Sequence, residues 1–301
     1  MFTNLPTLGE IHQPAQQKVI LDTDIGDDVD DAYALALLVS LPNAKILGVT
    51  TAFGETGKRA EIAAKLLKVV GRPDVPVFAG RSGMGGKIGR QYDWAKGFKS
   101  SSIKSESAAD FMKREIAKAP GEVTLIPVGA LTNIGDMLTK YPEVKTKIKQ
   151  IVIMGGAVHL GYNLKPPPIP EWNIKCDPSA ARVVFASGVP VVMAGLEVTS
   201  MMQLDPERQK KLFSAGTPMT DALAALTNLW GNNVPTLFDP VAVAHALGNA
   251  FCDTEQQHID VEDSGLTKIT EGPTNVTVLV NPKKEMFLDW YVETVGKRKG
   301  R

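Results

Sequence analysis

Leu21-Asp22-Thr23-Asp24-Ile25-Gly26-Asp27-Asp28-Val29-Asp30-Asp31-Ala32 places six carboxylates within ten residues, directly after the apolar run Lys18-Val19-Ile20-Leu21. The apolar run reads as a short buried strand. Residues 30–41 read as a helix whose amino end is acidic, where carboxylates complement the helix dipole. Clustered carboxylates repel one another, and a hard cation relieves that repulsion. Gly26 permits the tight turn that would fold several oxygens around one ion. A solvated acidic loop capping a helix is the plainer reading of such a run. The position at a strand's carboxyl end favours a site.

Working outward, strand-like runs at 45–51, 75–79, 123–127, 150–154 and 190–194 alternate with helical patterns at 58–70, 108–119, 133–141 and 178–187. This alternation predicts a single-domain α/β fold, a mostly parallel sheet with helices on both faces. In such sheets ligands bind beyond the carboxyl ends of the strands, so the active site is expected there. Residues 1–17, polar and proline-containing, read as an N-terminal extension, and 18–301 as the catalytic domain. The proline-rich stretch 165–170 is a stiff loop within that domain.

Formal charges balance to zero over 301 residues. No basic footprint for nucleic acid is present, and a small-molecule substrate fits better. No apolar run is long enough to span a membrane, and no signal-peptide core opens the chain, so a cytoplasmic location is expected, although a trimmed exported protein would look the same. Cys176 and Cys252 match no metal spacing and read as unpaired thiols.

The acidic segment fails as an EF-hand, because the fifth, sixth and twelfth places from Asp22 hold Gly26, Asp27 and Tyr33. Asp22-x-Asp24 also opens phosphatases of the haloacid dehalogenase type, but Gly26 stands where those carry Thr or Val. The aspartate-rich motif of prenyl synthases belongs to all-helical proteins. Gly80 to Lys87 is glycine-rich, yet Ile88 stands where a P-loop needs Ser or Thr.

Asp-Thr-Asp-x-Gly followed by Asp-Asp-Ala and a helix closely resembles the signature of the inosine-uridine type nucleoside hydrolases. The resemblance covers almost the whole chain. Val49-Thr-Thr-Ala-Phe-Gly54, Val75-Pro-Val-Phe-Ala-Gly80, Pro127-Val-Gly-Ala-Leu-Thr-Asn133, Met154-Gly-Gly156, Glu171-Trp-Asn173, Asp177-Pro178 and Asp239-Pro240 all follow in family order. The resemblance implies a Ca²⁺-dependent ribonucleoside N-glycosidase acting in nucleoside catabolism or purine salvage. In it Asp24 is metal ligand and general base. Asp31, Asp239 and the main-chain carbonyl of Val128 complete the protein ligands. Asp30, Glu171 and Asn173 bind ribose hydroxyls, and Asn163 lies near a further family position, although Tyr162 occupies the aligned place. Five residues, rather than the usual three, separate Asp24 from Asp30-Asp31, so Asp28 competes with Asp30 for the ribose role. A homo-oligomer, dimer or tetramer, is expected.

Many relatives place a leaving-group His immediately before the last metal-binding Asp; here Phe238 stands there. His159 and His245 are the other candidates for that acid. An aromatic residue at 238 together with Glu55 after the second strand leans towards purine nucleosides, with Phe238 stacking on the base. The alternatives are a phosphatase using Asp22 and Asp24 with Mg²⁺, or an inactive nucleoside-binding protein on the same scaffold.

Overall fold

In a computed structural model of the chain, which describes residues 16–83, 85–232 and 234–297, β1 (Gln17–Thr23) lies inside a nine-stranded sheet, fourth from one edge. The other strands are β2 (Ala44–Thr51), β3 (Val77–Ala79), β4 (Ile103–Lys104), β5 (Val123–Pro127), β6 (Ile148–Met154), β7 (Val191–Ala194), β8 (Asp253–Gln257) and β11 (Val276–Val280). Their order is β4-β3-β2-β1-β5-β6-β7-β11-β8, and only the β11–β8 pair is antiparallel. A hairpin of β9 (Ile259–Val261) and β10 (Thr267–Ile269) lies outside this sheet. The expected extension 1–17 falls outside the described residues except Gln16 and Gln17, and Gln17 already pairs in β1.

The helices are α1 (Asp30–Ser40), α2 (Thr56–Val69), α3 (Tyr92–Ala95), α4 (Ala108–Lys118), α5 (Thr132–Lys140), α6 (Trp172–Cys176), α7 (Pro178–Phe185), α8 (Leu196–Thr199), α9 (Pro206–Phe213), α10 (Pro218–Trp230), α11 (Phe238–Ala246) and α12 (Lys284–Gly296). They cover both faces, and the period-2 alternation of the strands shows how. Val19 and Leu21 join the core beneath α1, α2, α11 and α12, whereas Ile20 joins the core beneath α4, α5 and α7. Val152 and Met154 of β6 take the first side, Ile151 and Ile153 the second. Strands buried on both faces need continuous apolar sequence, which is why their runs stood out. Each such side chain contributes about 1.5–3 kcal/mol on burial.

This order positions the site. From β1 the chain passes to β2 on one side, while β5 pairs on the other. The strand order reverses at β1, so a crevice opens beyond its carboxyl end. Asp24 to Val29 lie at that opening.

Candidate active site

A cavity of about 530 Å³ lies at this switch point, lined by residues that follow β1, β5 and β6 and by the amino ends of α1, α6 and α11. Asp24, Asp27 and Asp28 come from the β1–α1 loop, and Asp30 and Asp31 from the first turn of α1. Asp239 comes from the first turn of α11. Asp30, Asp31 and Asp239 are buried, and one carboxylate oxygen from each lies within 4.8 Å of the others. Two helix amino ends thus bring their partial positive charge to the place where these carboxylates meet.

Local hydrogen bonds fix this floor. Thr23 Oγ1 donates to Asp31 Oδ1 (2.5 Å) and accepts from Ile25 N (3.1 Å). The Asp239 amide donates to Asp30 Oδ2 (3.3 Å). Burial pushes the Asp30, Asp31 and Asp239 carboxyls well above the usual carboxylate range, and the neighbouring aspartates push them further. Asp24 is raised to about 6 by burial, against the lowering pull of Arg59. Gly129 allows this packing: a Cβ there would lie 2.7 Å from Asp24 Oδ1. The Asp24 side chain therefore abuts the backbone that follows β5.

The acidic loop is held from behind by Arg59 of α2, a fully buried side chain. Its Nη1 donates to the carbonyls of Asp24 and Ile25, its Nε to the Phe53 carbonyl (2.7 Å), and its Nη2 pairs with Asp27 Oδ2 (2.6 Å). The planar guanidinium can serve all of these acceptors at once, which an ammonium cannot. Gln91 Nε2 donates to the carbonyls of Asp27 (3.2 Å) and Asp28 (2.7 Å), and Gly89 N donates to Asp27 Oδ1 (3.0 Å). The two additional loop residues are thus built into the fold.

On the β5 and β6 side, Asn173 Nδ2 donates to the carbonyls of Val128 (3.1 Å) and Met154 (3.2 Å). Glu171 caps α6, accepting from Asn173 N (2.9 Å) on Oε1, and from Gly156 N (2.9 Å) and Ile174 N (3.2 Å) on Oε2. Burial nevertheless raises Glu171 to about 7. Above this floor the lining turns aromatic. Tyr162 meets Phe238 edge-on with ring centroids 6.1 Å apart, and Trp172 meets Phe53 edge-on at 6.0 Å. Tyr162 and Trp172 are exposed, and Phe238 is half-buried against the core.

Of the residues singled out in the sequence, Asp24, Asp30, Asp31, Val128, Glu171, Asn173, Phe238 and Asp239 line this one cavity, and Asp28 lines it too. The tight trio, however, includes Asp30, assigned to ribose, and not Asp24, assigned to the metal. Glu55 and Asn163 are not brought in. Phe53 and Gly54 both adopt positive φ (61° and 66°), and after this turn Glu55 lies at the start of α2. There it pairs with Lys58 (2.5 Å) and accepts from Ile88 N (3.0 Å). Asn163 is exposed in a turn, with its Oδ1 accepting from Lys165 N (3.0 Å). His159 is exposed near Glu255, and His245 ends α11, away from the Asp239 end; neither lines the cavity. Asp22 does not line it either: Thr50 and Asn133 both donate to its buried Oδ1 (2.6 and 2.7 Å). The paired aspartates a phosphatase would need are therefore not presented together. Cys176 and Cys252 carry free thiols.

Sequence reasoning missed Arg59, Gln91 and the lining role of Trp172. Arg59 had a signal: it stands on the buried stripe of α2 with Thr56, Ala60, Ala63 and Leu67, where a charge needs partners.

A carboxylate floor beneath an aromatic mouth, set at the switch point of a parallel sheet, is a place where an α/β enzyme can hold a small polar ligand. The inosine-uridine preferring nucleoside hydrolase family matches residues 19–289, and the chain belongs to that family. It is a hydrolase of N-glycosyl bonds in ribonucleosides. It is 30% identical to the pyrimidine-specific ribonucleoside hydrolase RihA of Citrobacter koseri over 92% of this chain and 97% of that one. The purine-preferring ribonucleoside hydrolase of Gardnerella vaginalis superposes with a TM-score of 0.81 at 27% identity, covering 93% of this chain and 98% of that one. The inosine-uridine preferring nucleoside hydrolase of Bacillus anthracis shares the fold, with a TM-score of 0.79 at 20% identity over 94% of this chain and 99% of that one.

Proposed function

We propose that the enzyme hydrolyses ribonucleosides with Ca²⁺ and a water deprotonated by Asp24, favouring purine nucleosides. The observation that carries this reading is the division of one cavity into a buried carboxylate floor and an aromatic mouth. The floor fits a hard cation: its donors are carboxylates and the Val128 carbonyl, with no thiolate or imidazole among the described lining residues. Asp24, Asp31, Asp239 and Val128 would hold the ion, with Asp30 close enough to share in it. A bound Ca²⁺ would polarise the attacking water and offset two of the clustered negative charges. Asp24 takes a proton from that water. Asp30, Glu171 and Asn173 hold the ribose hydroxyls, and the surrounding carboxylates stabilise positive charge developing on the sugar.

Phe238, Tyr162 and Trp172 give the base a mouth of three rings, which suits a two-ring purine. The relatives divide between purine-preferring and pyrimidine-specific enzymes, so the preference is read from this chain's own rings. Ribose release from inosine, adenosine, guanosine, uridine and cytidine, after chelation and again with Ca²⁺ restored, tests the reading. Inosine should exceed uridine, and activity should vanish without metal and return with Ca²⁺ better than with Zn²⁺. Uridine hydrolysed far faster than inosine would remove the purine preference, and full activity in verified metal-free protein would remove the ion. Release of phosphate from phosphomonoesters with Mg²⁺ alone would favour a phosphatase.

A further inference from the structure

We propose that the favoured substrates are ribonucleosides whose base already carries a positive charge, such as an N7-alkylated purine. The inference deepens the proposed function and rests on Asp24 deprotonating water. Seven carboxylates line the cavity (Asp24, Asp27, Asp28, Asp30, Asp31, Glu171 and Asp239), and no Lys, Arg or His is among the described lining residues. Arg59 pairs with Asp27 from behind, and one divalent ion would offset two more of the seven, which leaves four carboxyl groups in excess beside three aromatic rings. Aromatic faces attract cations, and the attraction strengthens as water is excluded.

The chemistry points the same way. Water attacks C1′ and the C1′–N bond breaks, its electron pair passing to the base, while the water proton passes to Asp24. From a neutral purine nucleoside, the departing base is an anion that needs a second proton. No Lys, Arg or His among the described lining residues stands ready to give one. Both Glu171 oxygens are committed to accepting three backbone N–H groups. The Tyr162 hydroxyl accepts from Trp172 N (3.1 Å), and desolvation at that end of the ring, together with nearby Glu171, makes it a weaker acid than an ordinary phenol. An anionic base would also leave against the surplus of carboxylates. From an N7-alkylated purine nucleoside the same electron pair cancels the positive charge, and the base departs neutral with no further proton. The ground-state cation is meanwhile drawn in by the mouth.

The test uses the Ca²⁺-loaded full chain, at a pH acidic enough to keep N1 of 7-methylinosine protonated so that this nucleoside is a net cation, with 7-methylinosine, inosine and 4-nitrophenyl riboside, the last a neutral substrate whose leaving group needs no protonation. The kcat/KM for 7-methylinosine should exceed that for inosine by at least about a hundredfold, the low end of what a general acid supplies. Raising ionic strength from about 0.05 to about 0.5 M should raise KM for 7-methylinosine severalfold and leave that for 4-nitrophenyl riboside nearly unchanged. Asp28→Asn should lower the preference for 7-methylinosine over 4-nitrophenyl riboside by about threefold, the size of a partly screened charge contact. A ratio to inosine below about tenfold overturns the inference, because the enzyme then supplies the proton itself. A large ratio with a salt-insensitive KM also overturns it, since leaving-group lability alone would then suffice. Either result leaves the nucleoside hydrolase reading standing, whereas no ribose from any of the three substrates would overturn both.

Discussion

The floor and the mouth of the cavity are built by opposite means. On the floor, Asp30, Asp31 and Asp239 are buried on helix amino ends, Glu171 caps a helix, and Asp24 is wedged against Gly129. Thr23, Arg59 and Asn173 tie the floor to neighbouring backbone and side chains. The mouth is made of Tyr162 and Trp172, both exposed, and half-buried Phe238, which meet other rings only edge-on. On the proposed reading, preorganised groups would hold the sugar, at an electrostatic cost to the metal-free fold, and the base would meet surfaces that can adjust to different rings. A family can keep one floor and vary its substrates by changing the mouth.

The sharpest way to break this contrast is Asp24→Asn. It keeps the shape of the floor and removes the proton acceptor, so turnover should fall by at least about a hundredfold while the thermal midpoint is kept or raised. Near-normal kcat would take Asp24 out of the mechanism and turn attention to Asp28.

The electrostatic cost can be read from pH. Asp22, Asp24 and Glu171 have folded-state pKa values raised to about 7, 6 and 7. A raised carboxyl pKa means that the folded chain binds more protons than the unfolded one, so stability falls as pH rises between the two values. Metal-free protein should accordingly melt several degrees higher near pH 5 than near pH 8. Ca²⁺ should add most stability at the alkaline end, where these groups are ionised. Thermal scans of chelated and Ca²⁺-loaded protein at both pH values measure this, and a metal-free protein most stable at pH 8 would contradict it.

Arg59→Lys sharpens the contrast from behind the floor. A lysine keeps the charge but cannot serve the Asp24, Ile25 and Phe53 carbonyls together, and each buried acceptor left unpaired costs about 1–3 kcal/mol. Calorimetry should show weaker Ca²⁺ binding, and the melting temperature should fall. Unchanged Ca²⁺ affinity would make Arg59 a support of the fold alone.

The smallest effect belongs to the mouth. Phe238→Ala should raise KM for inosine by a factor corresponding to about 1–3 kcal/mol of lost stacking, with kcat changed less. Should stability instead fall by about 3–5 kcal/mol, the ring's principal role is in the core.

How much of this was legible follows from the same contrast. The apolar runs of β1, β2, β5, β6 and β7 and the helices between them were readable because strands buried on both faces cannot hide their composition. The floor was readable because carboxylates crowded at a strand's end demand an explanation. Past residue 194 no elements were assigned: β8 reads Asp-Thr-Glu-Gln-Gln and is largely exposed, so it offers no apolar signal, whereas the buried run Val-Thr-Val-Leu-Val of β11 carried one that was passed over. Glu55 was misplaced because spacing after a strand does not reveal backbone handedness, and the positive φ values at Phe53 and Gly54 decide where the chain goes next. The mouth depends on the loop before α6 meeting the start of α11, a contact between distant segments that no local pattern encodes. Tyr162 was noted only as a departure from the family's asparagine.

The two ends of the sheet bear on how the molecule can assemble. At one end β4 pairs over only two residues, Ile103 and Lys104. At the other, β8 runs against its neighbour and carries the exposed carboxylates Asp253 and Glu255. A short edge and a charged one give another chain little to add a strand to. Aggregation by edge-to-edge growth is thereby discouraged even at high protein concentration, and any self-association would have to use helical or loop surfaces, where copies could meet while each keeps its sheet complete.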